Sequence, residues 1–468
     1  MRAGAGLLGV LVGALGCVLQ PATQPQIAQL PVLADGAGRP AHLVWVSVAG
    51  LTPDRYLSGD AMPNLARLAS LGVSAEHVVP VPAAGVYPAH ASLVTGATPA
   101  EHGIVADQLL GERGVRRAQP SHASLLRRAT LWQSVAEAGG SVTSLDWPTT
   151  TGAAIASLLP DLAPQRAGEH WQALVSAAAT PWIGERVRAA PADVEQPGPA
   201  RDALLVELAC AAFAQAPHLL LLRLRGPEAA LVATGPVSQD SAAAFSVVDE
   251  LLLRLLRCAE QAGVLPQSAF VVTGDRALAP VHTVLRPNVW LRYEGWITPQ
   301  GLWKVFAASN GSSAFVYADE ARTALDARKI LEARAQESGA FEIVSAEAMI
   351  GLGVDPDAWF GLQAEPGFAF ENTLSGEAIA PASVLASAGA LLGESAPPTG
   401  FVAFGRGVRL GVRVPRMTQL DVAPTLAMLL GVKLDAAVGR SLVGLLRVSA
   451  GSAGVDPSPP AEALPSGR

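Results

Sequence analysis

Cysteine is scarce, with three in 468 residues. That is too few for a disulfide framework, and no Cys-x-x-Cys pair exists to hold zinc through thiolates. Cys210 and Cys258 both fall on helical stretches and read as buried thiols. Aromatic residues make up 5% of the chain, which argues against stacking platforms for single strands. Basic charge is short as well. Lys and Arg number 33 against 40 Asp and Glu, for a formal net charge of −7. A nucleic-acid partner, which needs a basic face, is therefore not expected. No internal repeat is visible.

What is present is bulk. The chain is 50% hydrophobic and 16% charged, enough to bury a large core as one α/β domain with an insertion or as two domains. Arg2 precedes Ala3–Leu19, a run of 17 small or apolar residues. Residues 1–22 read as a signal peptide, or as a retained N-terminal anchor that would attach the chain to a membrane. Ala14-Leu-Gly-Cys17 resembles a lipoprotein cleavage box, so lipidation at Cys17 is a third outcome. Each makes the protein exported, to the periplasm, the cell envelope or the medium. Residues 23–41, rich in Pro, Gln and Gly, read as a linker, and residues 447–468 as a disordered tail.

Between these ends, short apolar runs alternate with helical patterns. Strands are expected at His42–Ala49, Val73–Val81, Ser141–Trp147, His218–Leu224, Ser268–Thr273 and Phe401–Phe404. Helices are expected at Met62–Gly72, Leu131–Gly139, Ala203–Ala216 and Ser238–Gly263, from Pro88 through Thr95, and at Val422–Leu430, capped by Asp421 and stopped by Gly431. This alternation predicts a mostly parallel sheet covered by helices on both faces. Residues 285–372 differ. Strands at Asn288–Ile297, Lys304–Phe306, Ala314–Tyr317 and Phe341–Val344, with a helix over Ala321–Ser338, describe an α+β insertion. The core is then 42–284 plus 373–446. Asn310-Gly311-Ser312 matches a glycosylation triplet, but a tight turn between two strands is the simpler reading.

The most informative stretch runs from Pro82 to Gly96 and on to Thr98–Ile104. With it go Met62-Pro-Asn-Leu-Ala-Arg-Leu68, Tyr87-Pro-Ala-His90, Glu101-His-Gly-Ile104, Trp147-Pro148, Ala279-Pro280-Val281, Gly311–Tyr317, Glu365–Phe370 and Leu420–Leu426. In this order, from about 42 to 446, the chain resembles the type I phosphodiesterase/nucleotide pyrophosphatase branch of the alkaline phosphatase superfamily. The resemblance implies an alkaline-phosphatase-like sheet with a small capping insertion. It also implies two zinc ions clamping the attacking and leaving oxygens at phosphorus. Their ligands would be three Asp and three His, beside a Thr or Ser nucleophile at a helix N-terminus.

Carried over residue by residue, the resemblance fails where the chemistry should be. The first metal Asp falls on Ala49, before Gly50. The nucleophile falls on Val86, and a hydrocarbon cannot attack phosphorus. With Gly235-Pro236 as the anchor, the Asp-x-x-x-His pair becomes Glu228 and Val232. The Asp-His pair after the Ser268–Thr273 strand becomes Asp275-Arg276, and the last His falls on Ala388. Two carboxylates remain, and no cofactor is expected. His90 in the best-matched stretch reads as a packing and hydrogen-bonding residue. Ser92 is the nearest substitute hydroxyl.

The expected protein is a pseudoenzyme that binds or scaffolds at the cell envelope. The alternatives are a metal-dependent phosphodiesterase with substituted ligands and an envelope structural protein that uses only its surface. Two readings attach to Arg276. It replaces lost metal charge and holds a phosphate or nucleotide, or it pairs with Asp275 and neutralises an empty cleft.

Overall fold

The computed structural model describes residues 30, 31, 33, 36–115, 119–391 and 396–448. The signal or anchor segment, Cys17 and nearly all of the predicted tail lie outside these residues. Leu30 and Leu33, within the predicted linker, pack against the main core.

Runs such as His42–Val48 and Leu219–Leu224 are apolar at nearly every position, so they are stable only as strands buried on both faces. They form the centre of an eight-stranded sheet among the described residues. In chain order its strands are β1 (His42–Val48), β2 (Val73–Ala75), β3 (Val142–Trp147), β4 (Ser157–Pro160), β5 (Leu219–Leu224), β6 (Ser268–Gly274), β7 (Phe401–Gly405) and β8 (Val412–Val414). Across the sheet the order is β8-β2-β7-β6-β1-β5-β3-β4. β6, β1, β5, β3 and β4 run parallel, while β7 runs antiparallel to both its neighbours. The expected α/β architecture is what the structure shows.

Alternate residues of each strand feed two cores. Val44, Val46, Leu220, Leu222 and Val272 face the helices Pro199–Ala212 and Gln239–Gln261. Leu43, Trp45, Leu219 and Val271 face the helices Val86–Thr95, Leu131–Glu137 and Val422–Leu430. A third core belongs to an antiparallel sheet of Val305–Ser309, Ser313–Ala318, Phe360–Ala364 and Phe341–Val344, backed by the helix Ala321–Ser338. The Asn310-Gly311-Ser312 triplet is the turn between the first two of these strands. Asn310 is buried there, with its amide donating to Ala83 O, so it is not presented to a glycosylating enzyme.

Several expectations are corrected. The Asn288–Ile297 segment is a helix, Pro287–Tyr293, because Pro287 supplies a preformed first turn. Asn288 still bonds Ala307 through both amide atoms, as a strand neighbour would. Val73–Val81 breaks into Val73–Ala75 and Val78–Val79, which join different sheets. The helix expected from Pro88 starts two residues earlier, at Val86.

Cys210 and Cys258 are not free thiols. They form a disulfide between the Pro199–Ala212 and Gln239–Gln261 helices, with Cα atoms 5.3 Å apart. Their separation of 48 residues hides the pairing from sequence, because helix packing on one sheet face creates it. Closing so long a loop restricts the unfolded chain. Cys210→Ser should therefore cost about 2–5 kcal/mol. Calorimetry with and without reductant checks this: reductant should lower the Tm of the native chain and leave that of the serine variant unchanged.

Candidate functional site

The C-terminal ends of β1, β5 and β6 meet where an open parallel sheet usually builds its site. Ala49 and Gly50 follow β1, Glu228 lies in the first turn of the Gly226–Thr234 helix after β5, and Asp275-Arg276 follow β6. Gly50 turns with φ +70°, and a Cβ there would strike Leu231 Cδ1 at 2.3 Å. The chain thereby brings the Gly50 N–H to Asp275 Oδ1 at 3.1 Å.

Asp275 is fully buried and saturated. Besides Gly50 it accepts from the Arg276 backbone N–H at 2.7 Å and from Arg276 Nη1 at 2.5 Å. Arg276 Nη2 reaches Glu228 Oε1 at 2.5 Å. One guanidinium thus bridges the two carboxylates that the sequence resemblance singled out. The ion chain continues: Glu228 Oε2 lies 3.3 Å from Arg225 and 4.0 Å from Arg223. Arg223, 1% exposed within an otherwise leucine strand, lies 3.5 Å from Asp161, which in turn accepts from Tyr87 Oη at 2.8 Å. Burial pushes the Glu228 carboxyl up, but Arg276, Arg225 and Arg223 together overcome it and hold it at about 2. Burial opposes charge on Arg276 as well, yet Asp275, Glu228 and Asp107 outweigh it and keep the guanidinium protonated.

The other predicted positions surround this pair without adding donors. Ala49 is buried. Val86 is half-buried at the start of its helix, against Tyr87, Ala91 and Ile104. Val232 packs on the main core and Ala388 borders the space beside Arg276. That space is about 20 Å³, room for roughly one water. A larger cleft, about 430 Å³, opens beyond Ala279 and Ser312 and is lined by His282, Gln363 and Phe368.

His90 is fully buried. Its Nδ1 lies 2.7 Å from Val86 O and therefore donates, while Nε2 accepts from Ser47 Oγ at 2.9 Å. Burial lowers its pKa to about 4, so it stays neutral as a packing residue. His102 is built likewise. Nδ1 accepts from the Ile104 N–H at 3.1 Å, so Nε2 carries the proton and donates to Ser92 Oγ at 2.9 Å. It cannot act as base for Ser92, which is itself fully buried. Ser92 is thus no substitute nucleophile.

Charged residues that the family pattern does not cover complete the cluster. The Asp107 carboxylate sits at the N-terminus of the Val86–Thr95 helix, accepting from the Val86 N–H at 3.0 Å and the Tyr87 N–H at 2.8 Å. Asp146, next to last in β3, has φ 57° and is 1% exposed, and neither of its oxygens has a hydrogen-bond partner among the described residues. Burial, reinforced by Asp161, pushes its pKa to about 7 despite Arg225, Arg223 and Arg201. The sequence carried a signal for some of these: Arg223 and Asp146 are charges inside runs that otherwise read as buried strand.

The donors do not fit two zinc ions. Ala49, Val86, Val232 and Ala388 offer no side-chain ligand, and Asp275 and Glu228 are already joined through Arg276. Among the described residues no cluster of three or more His, Cys, Asp or Glu could hold a metal. Chemically the arrangement is an internal ion lattice. Removing Arg276 would leave buried Asp275 without its paired cation and Glu228 with only Arg225 and Arg223, and Arg276→Met should destabilise the chain by about 3–5 kcal/mol in urea titration. The pH dependence has a defined sign. The stabilisation from a depressed Glu228 is complete above its ordinary value of 4.5 and is lost as pH falls towards about 2. The gap between native chain and variant should therefore be widest above pH 4.5 and narrow in acid.

Comparison with known proteins agrees with the fold. The family model for type I phosphodiesterase / nucleotide pyrophosphatase matches residues 43–350. Murine ectonucleotide pyrophosphatase / phosphodiesterase 5 superposes with a TM-score of 0.65 at 18% identity, covering 86% of this chain and 100% of that one. An inactive variant of the murine protein in complex with AMP gives 0.64 at 18%, covering 86% and 99%. The human protein gives 0.63 at 17%, with the same coverage of 86% and 99%. At these identities the likeness is one of fold. No curated protein matches the chain. With more than half its length matched, the chain belongs to the type I phosphodiesterase / nucleotide pyrophosphatase family, on an alkaline-phosphatase-like fold.

Proposed function

We propose that this chain is an exported, non-catalytic member of its family, a binding or scaffolding protein of the cell envelope whose reaction cleft has become an ion lattice. The observation that carries the reading is Arg276, whose guanidinium holds Asp275 and Glu228 at 2.5 Å each, where a hydrolase would need metal. The want of a hydroxyl at Val86 supports it independently, since the covalent route has no nucleophile. Export is supported by the Cys210–Cys258 disulfide, which persists in an oxidising compartment, and by the apolar N-terminal run.

A nucleotide is the ligand class that kinship favours, given the AMP complex of the murine relative. Arg276 has both terminal nitrogens engaged and about one water's space beside it, so a phosphate group does not enter this lattice as it stands. The second reading, a hydrolase with substituted ligands, would make Glu228 a metal ligand. A chromogenic phosphodiester separates the two. The native chain should give no turnover above background with or without added zinc, and Glu228→Ala should change nothing. Zinc-dependent turnover abolished by Glu228→Ala would establish the hydrolase instead.

A further inference from the structure

Positive charge collects late in this acidic chain. Residues 396–448 carry seven Lys and Arg against two Asp and Glu, while the whole chain has a net charge of −7. One of the two carboxylates, Asp421, is buried and accepts from the Thr418 and Arg440 N–H groups. Backbone hydrogen bonds gather several of the cations at one pole. The Arg406 N–H donates to Ser268 O at 2.9 Å, at the first residue of β6, so this pole is at the opposite end of the sheet from Asp275. Gly407 donates to Gly36 O at 2.9 Å, Gly38 to Arg447 O at 3.0 Å and Arg409 to Leu445 O at 2.9 Å. Arg406 Nε donates to Arg39 O at 3.1 Å, and Arg409 Nε to Leu446 O at 3.2 Å. These acceptors are neutral carbonyls, so neither guanidinium loses its charge to them. The Arg39 guanidinium lies over Gly431, where an added Cβ would collide with it, and exposed Lys433 follows two residues later. Hydrocarbon stands out among these charges: Leu410 is 50% exposed and Val443 55%.

We infer that this pole lies against an anionic lipid surface, with Arg39, Arg406, Arg409 and Lys433 over the headgroups and Leu410 and Val443 set between them. Cations interleaved with exposed aliphatic side chains suit the boundary between headgroups and acyl chains, where both find a partner. The N-terminal chain favours the same occupant. Gly36–Arg39 are bound into this pole and lead directly into β1, so the apolar run Ala3–Leu19 joins the body from this side. One hydrophobic anchor holds a protein to a bilayer more firmly when a basic patch adds a second attachment. The patch then sets orientation as well: with this pole on the bilayer, the Asp275–Arg276–Glu228 cleft at the other end of the strands faces away from it. The contact rests on the export proposed above, and its failure reads separately. It is scored by vesicle binding, whereas the non-catalytic reading is scored by turnover.

The test sediments the whole chain with vesicles of phosphatidylcholine alone and of phosphatidylcholine and phosphatidylglycerol in equal parts. The apolar run inserts into both, so the difference between them reads the patch. The native chain should partition at least about ten-fold more strongly onto the anionic vesicles. That preference should vanish as salt rises from about 0.1 M to about 1 M and the charges are screened. The double variant Arg409→Glu, Lys433→Glu should lose it. A control, Arg322→Glu with Lys329→Glu on the exposed side of the Ala321–Ser338 helix, changes the net charge equally and should keep it. A native chain indifferent to headgroup charge overturns the inference. So does a preference that survives high salt, or one that the control loses as fully as the patch variant does. Indifference to lipid together with a dimer that the patch variant splits would give the face to a second copy of the chain and overturn it too. If the patch variant does not fold, the salt titration of the native chain decides.

Discussion

The guanidinium of Arg276, fixed between Asp275 and Glu228, is the constraint on which the interior depends. Carboxylates gathered at the C-terminal edge of a parallel sheet repel one another and resist burial unless a cation joins them. The family resemblance implies metal ions in that role. Here the cation is covalently part of the chain and sits one residue after the carboxylate it neutralises. It is planar and carries its N–H donors along its edges, so it can bridge carboxylates that follow two different strands. From Glu228 the alternation of charge runs through Arg225 and Arg223 to Asp161 and Tyr87, tying β5 and the loop after β4 to the Val86–Thr95 helix.

Such an arrangement is rigid in a way a metal site is not. A metal keeps exchangeable positions for substrate, whereas each oxygen of Asp275 is already spoken for by a backbone or guanidinium donor. The surrounding packing matches this closure. Leu231 lies over Gly50, Val86 beds against Ile104, and little space remains beside Ala388. On the reading proposed here the fold survived because its cores rest on strand and helix packing, while the chemistry rested on a few positions that side-chain changes could erase.

Much of this was legible in sequence, for identifiable reasons. β1, β5 and β6 announced themselves because strands buried on both faces must be apolar throughout, and the Gln239–Gln261 helix because its leucines recur on one side. Placing Asp275-Arg276 after a strand was enough to foresee their pairing, since adjacent residues stay near in space. What stayed hidden was set by tertiary contact. The Cys210–Cys258 bond needs two helices brought together across 48 residues. Asp107 meets Val86 21 positions back along the chain, past two helices, and no local pattern announces that a carboxylate there will reach a helix end. Asn288 read as strand because its neighbours are apolar, and Pro287 decided otherwise.

Anomalous diffraction from crystals soaked in zinc tests the central claim most directly. The account predicts no ordered peak within bonding distance of Asp275 or Glu228, with Arg276 still bridging them in density. A pair of well-occupied zinc peaks between these carboxylates, with the guanidinium swung aside, would contradict it.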